Sequence, residues 1–237
     1  MSRSLLHAAL SLLALSACAS GAATDPAVGA PTAAPTAPDT TTSTAPADGG
    51  VYAAPPIAEG QAQAVFAGGC FWCMETAYEG MDGVLEVLSG YTGGAEDSPT
   101  YRQVANHMTS HYEAVQVIYD PTKTDYEALL DIFWHNVDPT QANGQFCDKG
   151  DQYRTAIFTS DAAEIAAAEQ TRERSAKVLS ETIVTEILPS ATFWVAEEYH
   201  QDFYKKSPGR YYSYRTGCGR DKRLEQLWGE APESAVH

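Results

Sequence analysis

Residues 61–237 predict a single domain of mixed α and β layers, and three observations carry that reading. Strand-like and helix-like segments alternate along the whole stretch, as helices packed on a sheet require. The stretch is of ordinary size for one domain with its own hydrophobic core. Neither a Rossmann glycine fingerprint nor an internal repeat is present, which sets aside a dinucleotide fold and a repeat array.

The chain opens with Arg3, a Leu- and Ala-rich run and then Leu15-Ser16-Ala17-Cys18. Residues 1–17 are short for a membrane span and have the layout of a secretory signal. Leu-Ser-Ala-Cys resembles a bacterial lipoprotein signal, so Cys18 is the expected lipidation site and acyl chains would hold the mature protein on a membrane. The alternative is an ordinary signal cleaved at a nearby small residue. Residues 18–60 are rich in Ala, Thr, Pro and Gly without apolar periodicity, and are read as a disordered tether. The expected location is therefore outside the cytoplasm, facing the periplasm or the exterior.

Net charge excludes one class of partner. The chain carries −16; Arg3 against Asp25, Asp39, Asp48 and Glu59 leaves −3 on the first 60 residues and −13 on the domain. A surface this acidic does not bind nucleic acid, nor would it be drawn to anionic lipid headgroups.

Within the domain, residues 64–67 read as a first strand, and Phe71, Met74 and Tyr78 fall at helical spacing after a Gly68-Gly69 turn. Residues 84–91 form the next expected strand. Ser98 with Pro99 marks a helix start, residues 113–119 alternate as a strand, and Thr124 with Glu127 looks like a capping box opening a helix to about Asn136. A strand over 153–159 precedes a long Ala- and Glu-rich helix capped by Ser160. Residues 182–188 are β-prone, 197–204 read as a short helix, and the Gly-, Tyr- and Arg-rich end from Pro208 reads as loop.

Chemistry concentrates at the first turn. Cys70 falls at the start of a helix, where unpaired N–H groups and the helix dipole favour a thiolate, the nucleophilic form of the side chain. A lone cysteine is more often a small buried apolar residue. The paired glycines, the strand-to-helix placement and the Cys70-x-x-Cys73 spacing favour a catalytic or redox role instead. Phe71 and Trp72 are ordinary core aromatics or, beside a thiolate, the walls of an apolar substrate pocket.

Gly68-Gly69-Cys70-Phe71-Trp72 followed by Glu75, with Gly90-Tyr91-Thr92-Gly93-Gly94 downstream, resembles the opening of the A class of peptide methionine sulfoxide reductases. The similarity runs from about Ala62 to Trp228. It implies an α+β fold, one domain with a mixed sheet and a ferredoxin-like core flanked by helices. It also implies reduction of the S epimer of methionine sulfoxide, by a soft nucleophile at sulfur and a proton donor at the departing oxygen. Cys70 would be the nucleophile. Thr109-Ser110-His111-Tyr112-Glu113 is similar to the family's Thr-Gly-His-Ala-Glu, which makes Glu113 the acid, with Ser110 and Tyr112 departing from the pattern. An acid of this kind needs an apolar pocket to keep its proton near neutrality.

By the same resemblance Tyr101 and Tyr153 would hydrogen-bond the sulfoxide oxygen. Phe71, Trp72 and Asp148 would bind substrate. In the Asp148 motif Phe146 and Cys147 replace the family's Gly and Asn. His200 also matches the pattern and is read as structural.

Recycling needs a second thiol that condenses with the Cys70 sulfenic acid to a disulfide, which an external thioredoxin-like donor reduces. Many family members carry it on a mobile C-terminal segment, so Cys218, between Gly217 and Gly219, is the first candidate, with Cys73 and Cys147 as alternatives. No bound cofactor and no metal are expected, since ligation would consume the nucleophile, and the protein is expected to act as a monomer. Two competing readings remain: a thioredoxin-like thiol-disulfide oxidoreductase using Cys70 and Cys73, and a tethered binding domain with structural disulfides.

Overall fold

The structure, a computed structural model, describes residues 49–229. The expected signal peptide, Cys18 and most of the expected tether lie outside those residues. In chain order the strands are β1 (Tyr52–Ala53), β2 (Ala62–Gly68), β3 (Val84–Thr92), β4 (Tyr112–Tyr119), β5 (Gly144–Gln145), β6 (Asp148–Lys149), β7 (Thr155–Phe158), β8 (Glu186–Leu188) and β9 (Trp194–Val195). The helices are α1 (Phe71–Tyr78), α2 (Tyr101–Ala105), α3 (Tyr126–His135), α4 (Ala162–Leu179), α5 (Phe203–Lys206), α6 (Pro208–Gly217) and α7 (Arg220–Trp228).

Seven strands form one mixed sheet in the order β1-β9-β3-β4-β2-β7-β8. All pairs are antiparallel except β7 with β8, which the long α4 connects. The inner four, β3-β4-β2-β7, with α1 between β2 and β3 and α3 between β4 and β7, have the order of a ferredoxin-like core. The α+β reading therefore stands.

The sheet buries both faces. Phe66, Val115, Val117 and Ile157 meet Phe71, Met74 and Tyr78 of α1 and Leu129, Leu130 and Phe133 of α3. On the opposite face Ala67, Ala114, Ala156 and Phe158 pack with Phe193 and Val195. The expected alternation in β4 is thus present, yet all eight of its residues are buried, with Gln116 donating to Gln63 at 2.5 Å. A strand covered on both faces is where a carboxyl can be desolvated.

Several expected starts shift. Thr100, not Ser98, caps α2, in a reciprocal capping box with Gln103, while Ser98 adopts φ +49° and donates to the Val51 carbonyl at 3.0 Å. Asp125 replaces Thr124 as the cap of α3, accepting from the Ala128 N–H at 2.9 Å, and Asp161 replaces Ser160 as the cap of α4. In both cases the cap is a carboxylate one residue on, whose charge also suits the positive end of the helix. Tyr153 closes a 3₁₀ turn, so its strand begins two residues later at Thr155. The short helix expected over 197–204 is two pieces, Glu198–His200 and α5, broken by Asp202 at φ +52°.

Two differences are larger. Tyr52–Ala53, inside the stretch read as tether, pairs with Trp194–Val195 and extends the sheet. The end from Pro208 is not loop but α6 and α7, joined at Gly219 with φ +66°. Pro208 occupies the first turn of α6, and Arg220, Leu224 and Trp228 recur every four residues on the face of α7 turned to the core.

Candidate functional site

Gly69 turns β2 into α1 with φ +82°, and a Cβ there would meet the Gln145 side chain at 2.5 Å, so glycine is required on both counts. That turn leaves Cys70 as the residue preceding α1, with no side-chain cap of its own, and the Cys73 N–H donates to its carbonyl at 3.1 Å. The thiols of Cys70 and Cys73 lie near enough to shift each other's ionisation, and both are buried and free.

The expectation of a low Cys70 pKa is reversed. Burial raises the Cys70 thiol well above its ordinary value, and the neighbouring Cys73 raises it further. Cys73 is shifted the opposite way, lowered by its interaction with Cys70 and, against the cost of burial, by Arg220, Arg215 and the Tyr211 hydroxyl. Desolvation at 6 % exposure outweighs the pull of the helix end, and the arginines lie on the Cys73 side. The pair thus holds one proton, with Cys73 placed to take it from Cys70.

Glu113 lies on β4, 2 % exposed, and its Oε2 accepts the Phe71 N–H at 3.2 Å. Burial raises its carboxyl to about 8, with Asp148 and Cys73 adding to the shift and the Phe71 N–H opposing it. It is protonated at neutral pH, the condition the sequence set for a proton donor. Tyr101 opens α2, with its N–H on Glu197 Oε1 at 2.9 Å. Its phenol is pushed up to about 12 by burial and then by Glu113 and Cys70. Tyr153 is raised by the same causes and by Tyr101 and Asp148. Elements far apart in sequence thus place Cys70, Glu113, Tyr101, Tyr153 and Asp148 within one electrostatic neighbourhood.

Phe71 is 1 % exposed, packed against Tyr91 and His200. Trp72 is only partly buried: it stacks on Phe203 with ring centroids 3.7 Å apart and donates from Nε1 to His200 Nδ1 at 3.1 Å. Burial, with Arg210 nearby, lowers His200 to about 3, so it is a neutral acceptor that orients Trp72, in keeping with the structural role expected of it.

Asp148 accepts a hydrogen bond from the Tyr214 hydroxyl. Tyr214 also lies within hydrogen-bond reach of the Cys70 sulfur. Sequence reading missed Tyr214, as it missed Arg215 and Arg220 behind Cys73. The available signal was the helical spacing of Tyr211, Tyr214 and Cys218, hidden by a composition that reads as loop. Cys218 ends α6 and is joined to Cys147 in a disulfide rather than carried on a mobile segment. A groove of 610 Å³ on the far face of the sheet, lined by Gln63, Val65, Gln116 and Phe193 among others, contains none of these site residues.

The arrangement offers a thiol pair, a neutral carboxylic acid and two phenols beside an aromatic wall. That donor set fits attack on a polarised oxygen-bearing atom with protonation of the oxygen.

Comparison with known proteins points the same way. The family model for peptide methionine sulfoxide reductase matches residues 62–232. The peptide methionine sulfoxide reductase MsrA 2 of Caulobacter vibrioides is 53% identical over 166 residues, covering 70% of this chain and 85% of that protein. The MsrA of Bacillus subtilis is 46% identical over 168 residues, 70% of this chain and 95% of its own. Among solved structures, reduced Mxr1 of Saccharomyces cerevisiae superposes with a TM-score of 0.59 at 30% identity, covering 67% of this chain and 90% of that one. The methionine sulfoxide reductase A of Corynebacterium diphtheriae gives 0.58 at 31% identity, covering 64% and 77%.

Proposed function

The chain belongs to the peptide methionine sulfoxide reductase family, and from that premise we propose how its own residues do the work. The activity is that of a peptide-methionine (S)-S-oxide reductase, which returns methionine-S-sulfoxide to methionine. The thioredoxin-like alternative is set aside, because it leaves a buried, protonated Glu113 beside the thiols without a task.

The observation that carries the mechanism is Glu113, neutral and held by the N–H of the residue after Cys70. In the proposed reaction the sulfoxide oxygen faces Glu113, Tyr101 and Tyr153, and Trp72 walls the methyl group, with Phe71 beneath. Cys73 takes the Cys70 proton, and the Cys70 thiolate attacks the substrate sulfur. Glu113 delivers its proton to the oxygen and the phenols stabilise the charge that develops there; the hydroxyl then passes from the substrate sulfur to the Cys70 sulfur as the bond between the two sulfurs breaks, so methionine departs and Cys70 is left as a sulfenic acid. Asp148, held by Tyr214, orders the pocket rim. A second thiol then expels water to form a disulfide, and an external protein dithiol of the thioredoxin type reduces it; Cys218 takes part in that recycling. The pocket groups hold one configuration at sulfur, which is the physical basis for acting on the S epimer.

The leader and the Ala/Thr/Pro-rich stretch support export and attachment to a membrane through lipidated Cys18, so the substrates would be oxidised methionines of exported proteins or the free amino acid. Two measurements test this reading. Separated S and R epimers of a blocked methionine sulfoxide, supplied with dithiothreitol, should give turnover of S alone; equal turnover or none overturns it. Cys18→Ala should release the protein from the membrane fraction, and unchanged membrane retention removes the lipid anchor.

A further inference from the structure

Strand β2 leaves the sheet before the strands on either side of it have ended. Its ladder with β4 reaches Phe66 opposite Val115 and its ladder with β7 reaches Gly68 opposite Thr155, after which Gly69 turns the chain into α1. Tyr112 and Glu113 of β4 pair with Thr92 and Tyr91 of β3 on one side, and among the described residues no strand pairs with them on the other. Tyr153 and Arg154, just before β7, lie past the same end of β2. The sheet is therefore open between the acid Glu113 and the phenol Tyr153, two groups that must meet one oxygen.

A side-chain cluster spans that opening. The Tyr112 hydroxyl accepts from Arg154 Nη2 at 2.6 Å and donates to Glu186 Oε2 on β8 at 3.1 Å, while Arg154 Nη1 donates to the same carboxylate oxygen at 2.9 Å. Charge on two of the three members strengthens each bond of this triangle. The Tyr112 ring is 6 % exposed and meets Phe158 of β7 edge-on, with centroids 5.4 Å apart. Alanine, which the family's motif has at this position, carries no atom that could reach Arg154.

We propose that Tyr112 and Arg154 are positioning residues for the reaction: their bond across the end of β2 sets the separation at which Glu113 and Tyr153 meet the sulfoxide oxygen. The roles given above to Glu113 and Tyr153 are its premise. Each member of the pair is the chain neighbour of one of those groups, Tyr112 of Glu113 and Arg154 of Tyr153. Successive side chains of a strand take opposite faces, so Tyr112 packs with Phe158 and Phe193 on the far layer while Glu113 meets the Phe71 N–H of α1 on the near one. The pair thus acts on the backbone from behind the site. Tyr153 and Glu113 are close enough for the carboxylate to raise the phenol. Two groups converging on one reacting atom lose effect steeply with distance, about 10²-fold for a misplacement of about 1 Å.

The experiment uses the full chain, reduced and then freed of reductant, and follows the first turnover of methionine release at saturating methionine-S-sulfoxide. Tyr112→Phe keeps the ring and its packing on Phe158 and removes only the hydroxyl. Its rate is expected to fall about tenfold. The upper limb of its pH profile should move below about 8, because water entering the opening eases ionisation of Glu113 while Asp148 and Cys73, the charged groups facing it, stay in place. Added to Glu113→Gln, the same change should cost much less than tenfold, since the group it positions is already gone. Arg154→Met, which keeps the apolar stem and removes the guanidinium, should repeat these effects, and it decides the matter if Tyr112→Phe does not fold. A wild-type rate and pH profile in a folded variant, a loss of urea stability with no change in rate, or a full tenfold cost on top of Glu113→Gln overturns the positioning role and leaves the reductase activity intact. Release of no methionine by the wild type overturns that activity and the positioning role with it.

Discussion

The Glu113 carboxyl on β4 accepts the backbone N–H of Phe71 on α1, 42 residues earlier in the chain, at 3.2 Å. One hydrogen bond thereby fixes the acid relative to the helix that carries the nucleophile. Strand β4 supplies the acid and buries it, and the turn at Gly69 sets where Phe71 lies. The carboxyl would ionise near its ordinary value if β4 had a solvated face. Covered on both sides, it keeps its proton.

Glu113→Gln keeps the shape and a hydrogen-bonding group but has no proton to give. Methionine release in a single turnover should slow by about 10²–10⁴-fold, the range for loss of a general acid. Sulfenic acid trapping by a dimedone-type reagent, timed against methionine release, measures it. Wild-type rates in the variant would remove Glu113 from the chemical step.

The same single-turnover rate should fall as pH rises through about 8, where Glu113 loses its proton, and fall again at low pH, where the cysteine pair gains its second. In Glu113→Gln the upper limb should vanish while the lower one remains. An unchanged upper limb in that variant would assign it to another group.

Glu75, 1 % exposed, accepts from the Asp202 N–H and from Ser89, yet burial still raises its carboxyl to about 8. The folded state therefore holds a proton that the unfolded chain has released above its ordinary carboxylate range. The stability this group contributes is full below that range and is lost as pH rises through about 8. Urea unfolding should show Glu75→Gln gaining on the wild type between about pH 5 and pH 8. A pH-independent difference would mean that Glu75 is ionised in the fold.

Trp72→Phe retains the stack on Phe203 but leaves the buried His200 Nδ1 without its donor. The expected cost is about 1–3 kcal/mol, that of an unsatisfied buried polar group, read from denaturant midpoints. A cost near zero would show that another donor satisfies His200.

Cys218→Ser should keep turnover with dithiothreitol, which enters the pocket, and lose on the order of tenfold or more with a protein dithiol donor, which needs a surface disulfide. Equal rates with the protein donor would place recycling wholly at Cys70 and Cys73.

The local chemistry was legible in the chain itself. The Gly68-Gly69 turn, the start of α1 at Cys70, the opposed faces of β4 and the identities of Glu113, Tyr101 and Tyr153 follow from spacing, turn residues and motif resemblance. These depend on neighbours a few residues apart. Tertiary structure alone decided the rest. It raised the Cys70 thiol and lowered that of Cys73, because burial and the cations Arg215 and Arg220 arrive from α6 and α7, about 140 residues further along the chain. It also paired Cys147 with Cys218 across 71 residues and brought Tyr214 to both Cys70 and Asp148. The pKa of a group and the partner of a thiol are set by which distant surfaces desolvate and charge the space around it, and no spacing along the chain records that.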